Sequence, residues 1–452
     1  SRTNNLDAFR EYMRGRQQIA HSSFDALRKA TEHFKTAIDL DPGYVQAHAA
    51  LADAYAQLSV VGAIAPSEMV ENGQRYIDRA MQLDSGNPYV RAVYGRYLTI
   101  MGNPEGEQVL KGAVAAAPND VDVLNIYATW LRRERRGEEA LVILEQALDL
   151  DPLSVTLYHD LGRTYLWLGQ FEPALKAFER ISQIDPGNPY AAHGAGTAAI
   201  LSGQLVKAAY WSEEAAAVDP VDYENPATSA VIYLSYGDIE TAQKRVAESL
   251  ALGPEEPFPL SAQALLLATT GRKDDGVAIS RAALAMELED RWGSHSVFLR
   301  LVRDDALESG NYNEALAWFR KYEPQLFASP PQLDANNLNK APNLALLLRA
   351  AGATQEADAL LKETIAAWDD LYTLGSANYP LGIAIVDALA LLGQEEAAVS
   401  KLRELYEDGW RVSWQFNTLQ NPNHEALRDN EDYLAILRDV EADLQKQVDA
   451  AL

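Results

Sequence analysis

Residues 152–186 read PLSVTLYHDLGRTYLWLGQFEPALKAFERISQIDP, a stretch that begins and ends on proline with a spacing of 34 residues. Only 20 of the 452 residues are proline, so a recurrence of this spacing is informative. The residues that keep the step of 34 are the prolines Pro118, Pro152, Pro186, Pro220 and Pro254, the glycines Gly169, Gly203, Gly237 and Gly271, and the alanines Ala140, Ala174, Ala208 and Ala242. A fixed period of this size indicates an array of stacked repeats.

The residue pattern of each 34-residue unit predicts two helices joined by a tight turn. Apolar or small residues recur at helical spacing over 158–165, and Gly169 then breaks the first helix. A second periodic run over 174–181 stops before Pro186, because a residue that precedes proline is pushed out of the α region. One such hairpin cannot bury its own apolar face, so we expect successive hairpins to stack into an all-α solenoid.

The unit resembles the tetratricopeptide repeat (TPR) in residue type, order and spacing. The matching pattern is Tyr158-x2-Leu161-Gly162-x2-Tyr165, then Ala174-x3-Phe178, then Pro186, with tyrosine in place of the opening tryptophan. The resemblance implies a right-handed superhelix of about eleven TPR-like helix-turn-helix units with a C-terminal capping helix. We expect a regular array at 1–254, a degenerate TPR-like array at 255–425 with a loop near 328–343, and the capping helix at 426–452.

Composition narrows the class of partner. The chain carries 39 basic and 65 acidic residues, a net charge of -26. This balance argues against nucleic acid and against docking on an anionic membrane surface. Cysteine is absent, which excludes disulfides, thiolate metal sites and a cysteine nucleophile. The apolar runs are too short and too interrupted to predict insertion of this segment into a membrane.

The candidate binding residues lie on one face of the first helix of each unit. In TPR proteins this face lines a concave groove that binds peptides, so the resemblance implies a protein or peptide partner. The groove segment is locally basic and aromatic, which suits a peptide carboxylate or backbone. Alternatively, these are ordinary exposed polar residues. The predicted partner-binding residues are Arg96, Asn125, Thr129, Arg132, His159, Arg163, Tyr190 and His193, of which Asn125, His159 and His193 are 34 residues apart and are expected to form a ladder.

The sequence contains no phosphate-binding loop, HExxH, EF-hand or GxSxG motif, which favours a non-catalytic protein without cofactor or metal. The sequence GAGTAA at 194–199 fits a loose dinucleotide-binding fingerprint, but it lies where the first helix of a unit is predicted. A metal site between His159 and His193 lacks a third ligand. Trp410 and Trp414 lie in a less regular segment, where they are either core residues or exposed anchors.

The two ends carry a second resemblance. NLDAFREYMRGRQQI at 5–19 and NPNHEALRDNEDYLAIL at 421–437 resemble the flanks of C-terminal TPR regions in bacterial membrane-anchored winged-helix regulators and adenylate cyclases. This implies the partner- or signal-sensing region of a larger bacterial regulator, on the periplasmic side of the membrane or else in the cytoplasm. Two alternatives stay open: a free-standing assembly scaffold or co-chaperone, and an enzyme with a site in 255–425. A deep pocket there with buried carboxylates or His295 favours the enzyme.

Overall fold

The computed structural model describes residues 3–21, 24–60, 63–290, 293–373 and 379–451. Within these ranges every regular element is a helix, which confirms the predicted all-α class. The elements are α1 (Leu6–His21), α2 (Phe24–Leu40), α3 (Val45–Val60), α4 (Pro66–Asp84), α5 (Pro88–Ile100), α6 (Glu105–Ala116), α7 (Val121–Arg133), α8 (Gly137–Leu150), α9 (Val155–Trp167), α10 (Phe171–Ile184), α11 (Pro189–Leu201), α12 (Leu205–Val218), α13 (Glu224–Ser235), α14 (Ile239–Leu252), α15 (Pro257–Thr269), α16 (Lys273–Ala285), α17 (His295–Ser309), α18 (Tyr312–Tyr322), α19 (Ala341–Ala350), α20 (Thr354–Thr373), α21 (Tyr379–Leu391), α22 (Glu395–Glu407), α23 (Trp414–Asn417) and α24 (Glu431–Ala451), with short 3-10 helices at Pro324–Phe327 and Pro422–Leu427.

The quoted stretch folds as the predicted hairpin, α9 followed by α10. Gly169 forms the turn with φ of 71°, a left-handed conformation that favours glycine. Gly162 lets the two helices cross closely, because a Cβ atom there would lie 2.6 Å from the Phe178 ring. The positive φ recurs at Gly203, Gly237 and Gly271, with values of 75°, 91° and 83°.

The residues that cap the starts of the first helices also recur every 34 residues, although they are not among the periodic residues predicted above. Asp120 accepts the backbone N–H of Asp122 at 3.1 Å, and Asn188 accepts that of Tyr190 at 3.0 Å. Ser154, midway between Asp120 and Asn188 in sequence, accepts the N–H of Leu157 at 3.4 Å. Short polar side chains at this position satisfy amides that the first turn of a helix leaves unpaired. They fix where each first helix begins.

Contacts divide the chain into two compact units, unit 1 (Ser1–Ala191) and unit 2 (Ala192–Leu452). In unit 1 consecutive hairpins stack through buried residues such as Val90, Leu124 and Leu144. The first helix, α1, contacts α9 in addition to its hairpin partner α2. Unit 1 therefore closes on itself, whereas the sequence predicts contacts between neighbouring repeats only.

Unit 2 has its own apolar core, which includes Leu265, Phe298 and Leu344. After α22 the chain returns to earlier helices of the same unit, and Trp410 and Trp414 are buried core residues. The indole N–H of Trp414 donates to the Ser235 carbonyl at 3.0 Å.

The C-terminal helix α24 packs on both α22 and α12. It begins at Glu431, inside the predicted capping segment, and the side-chain amide of Gln447 donates to the Gly203 carbonyl at 2.8 Å. The helix therefore covers the last hairpin and also joins it to the first hairpins of unit 2.

Three further sequence features have a definite place in the fold. Residues 194–199, the loose dinucleotide fingerprint, lie within helix α11, and no strand precedes them among the described residues. The segment 328–340 has no regular helix, and α19 begins at Ala341 within the predicted loop. In the described parts of the chain, no helix combines the length and apolarity needed to cross a bilayer.

Candidate partner-binding site

Unit 1 encloses a cavity of about 960 Å³, here called the unit 1 cavity. Most of its described wall comes from the first helices of successive hairpins, α1, α3, α5, α7 and α9, with Leu27 of α2 and the loop residues Asp151, Leu153 and Ser154 before α9. Six of the eight predicted binding residues contribute to this wall: Arg96, Asn125, Thr129, Arg132, His159 and Arg163.

The other two predicted residues lie differently. Tyr190 packs edge-on against the ring of His159, with 4.9 Å between ring centroids, but does not line the cavity. His193 is exposed and belongs to unit 2. Two members of the expected ladder, Asn125 and His159, therefore line the cavity. The third member, His193, does not line it, and its place in the ladder stays a prediction.

The cavity is positively charged within an acidic protein. Among the described residues, its lining contains six arginines, four aspartates and no lysine or glutamate, a net charge of +2 with histidine neutral. The whole chain has a net charge of -26. The charged lining residues are Arg10, Arg14, Arg16, Arg96, Arg132, Arg163, Asp53, Asp122, Asp151 and Asp160.

Four of these arginines are held in close ion pairs: Arg10 and Arg14 pair with Asp7 and Glu11 of their own helix, whereas Arg16 and Arg96 pair with residues of other helices. Arg16 of α1 donates to both carboxylate oxygens of Asp122 on α7, each at 2.8 Å. Arg96 donates to Asp53 at 2.6 Å in a buried contact. Planar two-point pairing of this kind fixes orientation as well as charge. Arg16 and Arg96 therefore position helices and are largely neutralised.

Arg132 and Arg163 are not neutralised in this way. The Arg132 side chain is 8% exposed, and its nearest carboxylate, Asp160, is 3.9 Å away. The Arg132 Nε is buried without a hydrogen-bond partner. Burial, and then the charge of Arg163, lower the pKa of Arg132 to about 10. Arg163 is exposed to the cavity and makes no ion pair within the described part of the chain. The two guanidiniums form a site that attracts an anion.

His159 lies beside this pair of arginines. Burial lowers the pKa of His159 to about 4, with Arg163 and Arg132 lowering it further and Asp160 opposing them. The imidazole is therefore neutral at pH 7 and offers one donor and one acceptor. Asn125, one hairpin earlier, accepts a hydrogen bond from Thr129 at 3.1 Å. These polar groups suit a peptide backbone, which also presents donors and acceptors.

An apolar edge of the cavity was not predicted. Phe9 and Met13 of α1 line the cavity, although they are 45% and 48% exposed. Leu153, 62% exposed, lines it as well. The sequence signal was present, since Phe9 and Met13 are one helical turn apart. The sequence does not predict their role, because only the contact between α1 and α9 brings Phe9 and Met13 to the predicted face.

The comparisons with known proteins agree with this architecture. Residues 131–198, which include α9 and α10, match the family model described as tetratricopeptide repeat. The chain contains tetratricopeptide repeats. A TPR array is in general a scaffold for protein–protein interaction, and this fold is typically non-catalytic.

Several curated and solved proteins are similar to this TPR chain. It is 23% identical over 176 residues to the transcriptional regulator HilA of Salmonella typhimurium, which covers 39% of this chain and 31% of HilA. It is 25% identical over 95 residues to interferon-induced protein with tetratricopeptide repeats 2 of Cricetulus griseus, 21% of this chain and 20% of that protein. The chain thus spans less than a third of these relatives. A solved tetratricopeptide repeat protein from Parabacteroides merdae is 16% identical, with a TM-score of 0.45 over 60% of this chain and 99% of that one.

The region proposed for an alternative enzyme site, 255–425, does contain buried polar groups. His295 is 6% exposed, and its Nδ1 lies 3.6 Å from Asp290. Asp387 is 4% exposed and lines a separate cavity of about 230 Å³. Asp387 already accepts hydrogen bonds from Asn421 and Asn423, so it is poorly placed to act as a free general base.

Proposed function

We propose that unit 1 binds a protein partner by taking an acidic, partly apolar peptide segment of that partner into the unit 1 cavity. The observation that carries this proposal is the pair Arg132 and Arg163. One is a buried guanidinium with an unpartnered Nε, and the other is a guanidinium without an ion pair among the described residues. The buried charge of Arg132, which no carboxylate reaches at hydrogen-bond distance, is costly in the free protein, so a carboxylate held by Arg132 and the exposed Arg163 binds favourably.

The surrounding groups suit the rest of such a segment. Apolar side chains of the peptide pack against Phe9 and Met13, which removes exposed apolar surface from water. Neutral His159 and the Asn125 amide supply hydrogen bonds to the peptide backbone. Of the eight residues predicted from the sequence, five are proposed to bind the peptide: Asn125, Thr129, Arg132, His159 and Arg163. Arg96 is a structural member of the cavity wall, Phe9 and Met13 are additions, and Tyr190 and His193 stay predictions.

Direct binding measurements test the proposal. The probes are two fluorescein-labelled degenerate peptide pools, one built from Asp, Glu, Leu and Phe, the other from Asn, Gln, Leu and Phe. We expect a rise in anisotropy with the acidic pool only. Arg163→Gln is expected to weaken binding about tenfold, which corresponds to about 1.4 kcal/mol and suits the loss of one charged hydrogen bond.

The matched control is Arg135→Gln. Arg135 is an exposed arginine of the same unit that does not line the cavity. Its variant should bind the acidic pool as the unaltered chain does. Equal binding of the two pools, or equal effects of the two variants, would overturn the proposal.

We further propose that the TPR chain serves as the partner- or signal-sensing region of a larger bacterial regulator. The similarity to HilA over 176 residues supports this context, as does the resemblance of the two flanks to regulator TPR regions. The complete reading frame that encodes this chain provides the test. A winged-helix head or a cyclase domain, joined through a membrane span, supports the proposal, and its absence favours a free-standing scaffold.

A further inference from the structure

Unit 2 contains its own cavity, of about 230 Å³, here called the unit 2 cavity. Residues of α15, α17, α19 and α21, of the loop before α19 and of the segment 410–417 form its wall. Two sides are aromatic, Trp410 and Phe416, which are 1% and 6% exposed. The polar part includes Arg300, Asn339 and Asp387. None of these residues belongs to the unit 1 cavity.

Arg300 is a buried cation without a counter-ion at contact distance. Its residue is 5% exposed, and its guanidinium lies 3.6 Å from the centroid of the Phe416 ring. Nη1 donates to the side chain of Asn417 at 3.2 Å, and Nη2 donates to the Phe416 carbonyl. Within the described ranges no carboxylate is within ion-pair distance of Arg300, and its Nε has no hydrogen-bond partner. Burial lowers the pKa of Arg300 to about 10.

The nearby carboxylates are already engaged with other groups. Asp304 lies 2.7 Å from Arg303 Nε. Asp387 accepts from the amides of Asn421 and Asn423 at 2.8 and 2.9 Å. One oxygen of Asp387 is also 2.7 Å from His424 Nε2. These carboxylates act on Arg300 only from a distance, so its positive charge stays largely uncompensated.

A second polar atom of the cavity also lacks a partner. The side-chain oxygen of Asn339 is buried and accepts no hydrogen bond. A buried polar group without a partner costs free energy comparable to a lost hydrogen bond. Two such groups in one small cavity, one a cation and one an acceptor, therefore point to a ligand that complements both.

We infer that the unit 2 cavity binds a small organic acid that carries a hydroxyl or ammonium group beside its carboxylate. The carboxylate accepts hydrogen bonds from Arg300, and the hydroxyl or ammonium group donates to Asn339. The apolar part of the acid packs between Trp410 and Phe416. The volume of about 230 Å³ suits a molecule of amino-acid size rather than a peptide.

Titration calorimetry with a matched series of compounds tests this inference. Leucine and 2-hydroxy-4-methylpentanoate carry both polar groups, 4-methylpentanoate carries the carboxylate alone, and 3-methylbutylamine carries the amine alone. We expect the two-group acids to bind with a Kd of about 1 mM or lower, the simple acid more weakly, and the amine not at all. Trp410 adds a fluorescence readout of the same titration.

The variant Arg300→Gln is expected to abolish binding of the acids. Its control is Arg272→Gln, because Arg272 is an exposed arginine of the same unit whose side chain is 66% exposed. Replacing a buried charge by an amide can leave stability unchanged or raise it, so melting temperatures are compared as well. Binding of the amine as tight as that of the acids, or no acid binding to the unaltered chain, would overturn the inference.

Discussion

Charge compensation separates arginines that sequence alone cannot tell apart. Arg96 and Arg132 occupy the same predicted face of their helices, yet Arg96 is paired with Asp53 at 2.6 Å, whereas the closest carboxylate to Arg132 is 3.9 Å away. Asp53 is 43 positions from Arg96, a spacing outside the period of 34, so the repeat gives no signal for the pair. The sequence could predict which helix face lines the cavity, but it could not predict which arginine there lacks a carboxylate at hydrogen-bond distance.

Because His159 is neutral in the folded protein, the stability of unit 1 decreases at acidic pH. Its pKa is about 4 in the folded protein, against 6.5 ordinarily, mainly because it is buried. The unfolded chain therefore takes up the proton first as the pH falls, and stability contributed by neutral His159 is lost between about pH 6.5 and pH 4. As the pH falls through this range, we expect the free energy of unfolding of the His159→Asn protein to decrease by about 1–3 kcal/mol less than that of the unaltered chain.

Urea unfolding at pH 7 and pH 4.5 measures this difference. His48 and His295, whose pKa values burial also lowers, are present in both proteins and cancel in the comparison. Identical pH dependence of the two proteins would show that His159 is not a buried neutral group.

At the scale of helices and turns, the sequence predicts most of what is observed. The hairpin of α9 and α10 and the turn at Gly169 follow from local rules, because apolar spacing and φ preference act within one unit. The residues that begin each first helix, such as Asp120 and Ser154, obey the same period and could have been read from the sequence. Boundaries of the degenerate units are less predictable because their turn and cap residues depart from the repeat.

The crossing of α9 and α10 depends on the absence of a side chain at Gly162. An added Cβ would lie 2.6–2.9 Å from three atoms of the Phe178 ring, which is 1% exposed and cannot swing into solvent. We expect Gly162→Ala to lower the free energy of unfolding by about 1–3 kcal/mol through overpacking. Thermal unfolding followed by circular dichroism provides the measurement.

A second substitution identifies the cause. Phe178→Leu shortens the opposing side chain, so Gly162→Ala should cost less in a Phe178→Leu background than in the unaltered chain. Strictly additive effects would mean that the two positions do not contact each other.

At the scale of a whole unit, long-range closure is the feature that the repeat pattern does not contain. Unit 1 closes through α1 and α9, and unit 2 through Trp414 and α24. Nearest-neighbour stacking predicts an array whose ends are free, because each repeat is expected to contact only the next. The contacts that close each unit join residues whose separations do not follow the period of 34, so the repeat pattern gives no signal for them.

The ion pair of Arg16 and Asp122 provides a test of closure. Both side chains are about a third exposed or more, so the expected cost of Asp122→Asn is modest, about 0.5–1 kcal/mol. We expect faster amide hydrogen exchange in α1, with little change in α8. Asp7→Asn is the matched control, since the one ion pair of Asp7 within the described part of the chain is with Arg10 in the same helix. Unchanged exchange in α1 of the Asp122→Asn protein would show that other contacts hold the helix in place.

The pairing of Arg16 with Asp122 also bears on how the chain folds while it is being synthesised. The two residues are 106 positions apart, so at ribosomal speeds of about 5–20 residues per second Arg16 waits about 5–20 s before its counterpart is synthesised. During that interval α1 can pair with α2, its hairpin partner, but the cavity edge formed by Phe9 and Met13 is still incomplete. Closure of unit 1 is thus a later step in synthesis than the formation of its first hairpin.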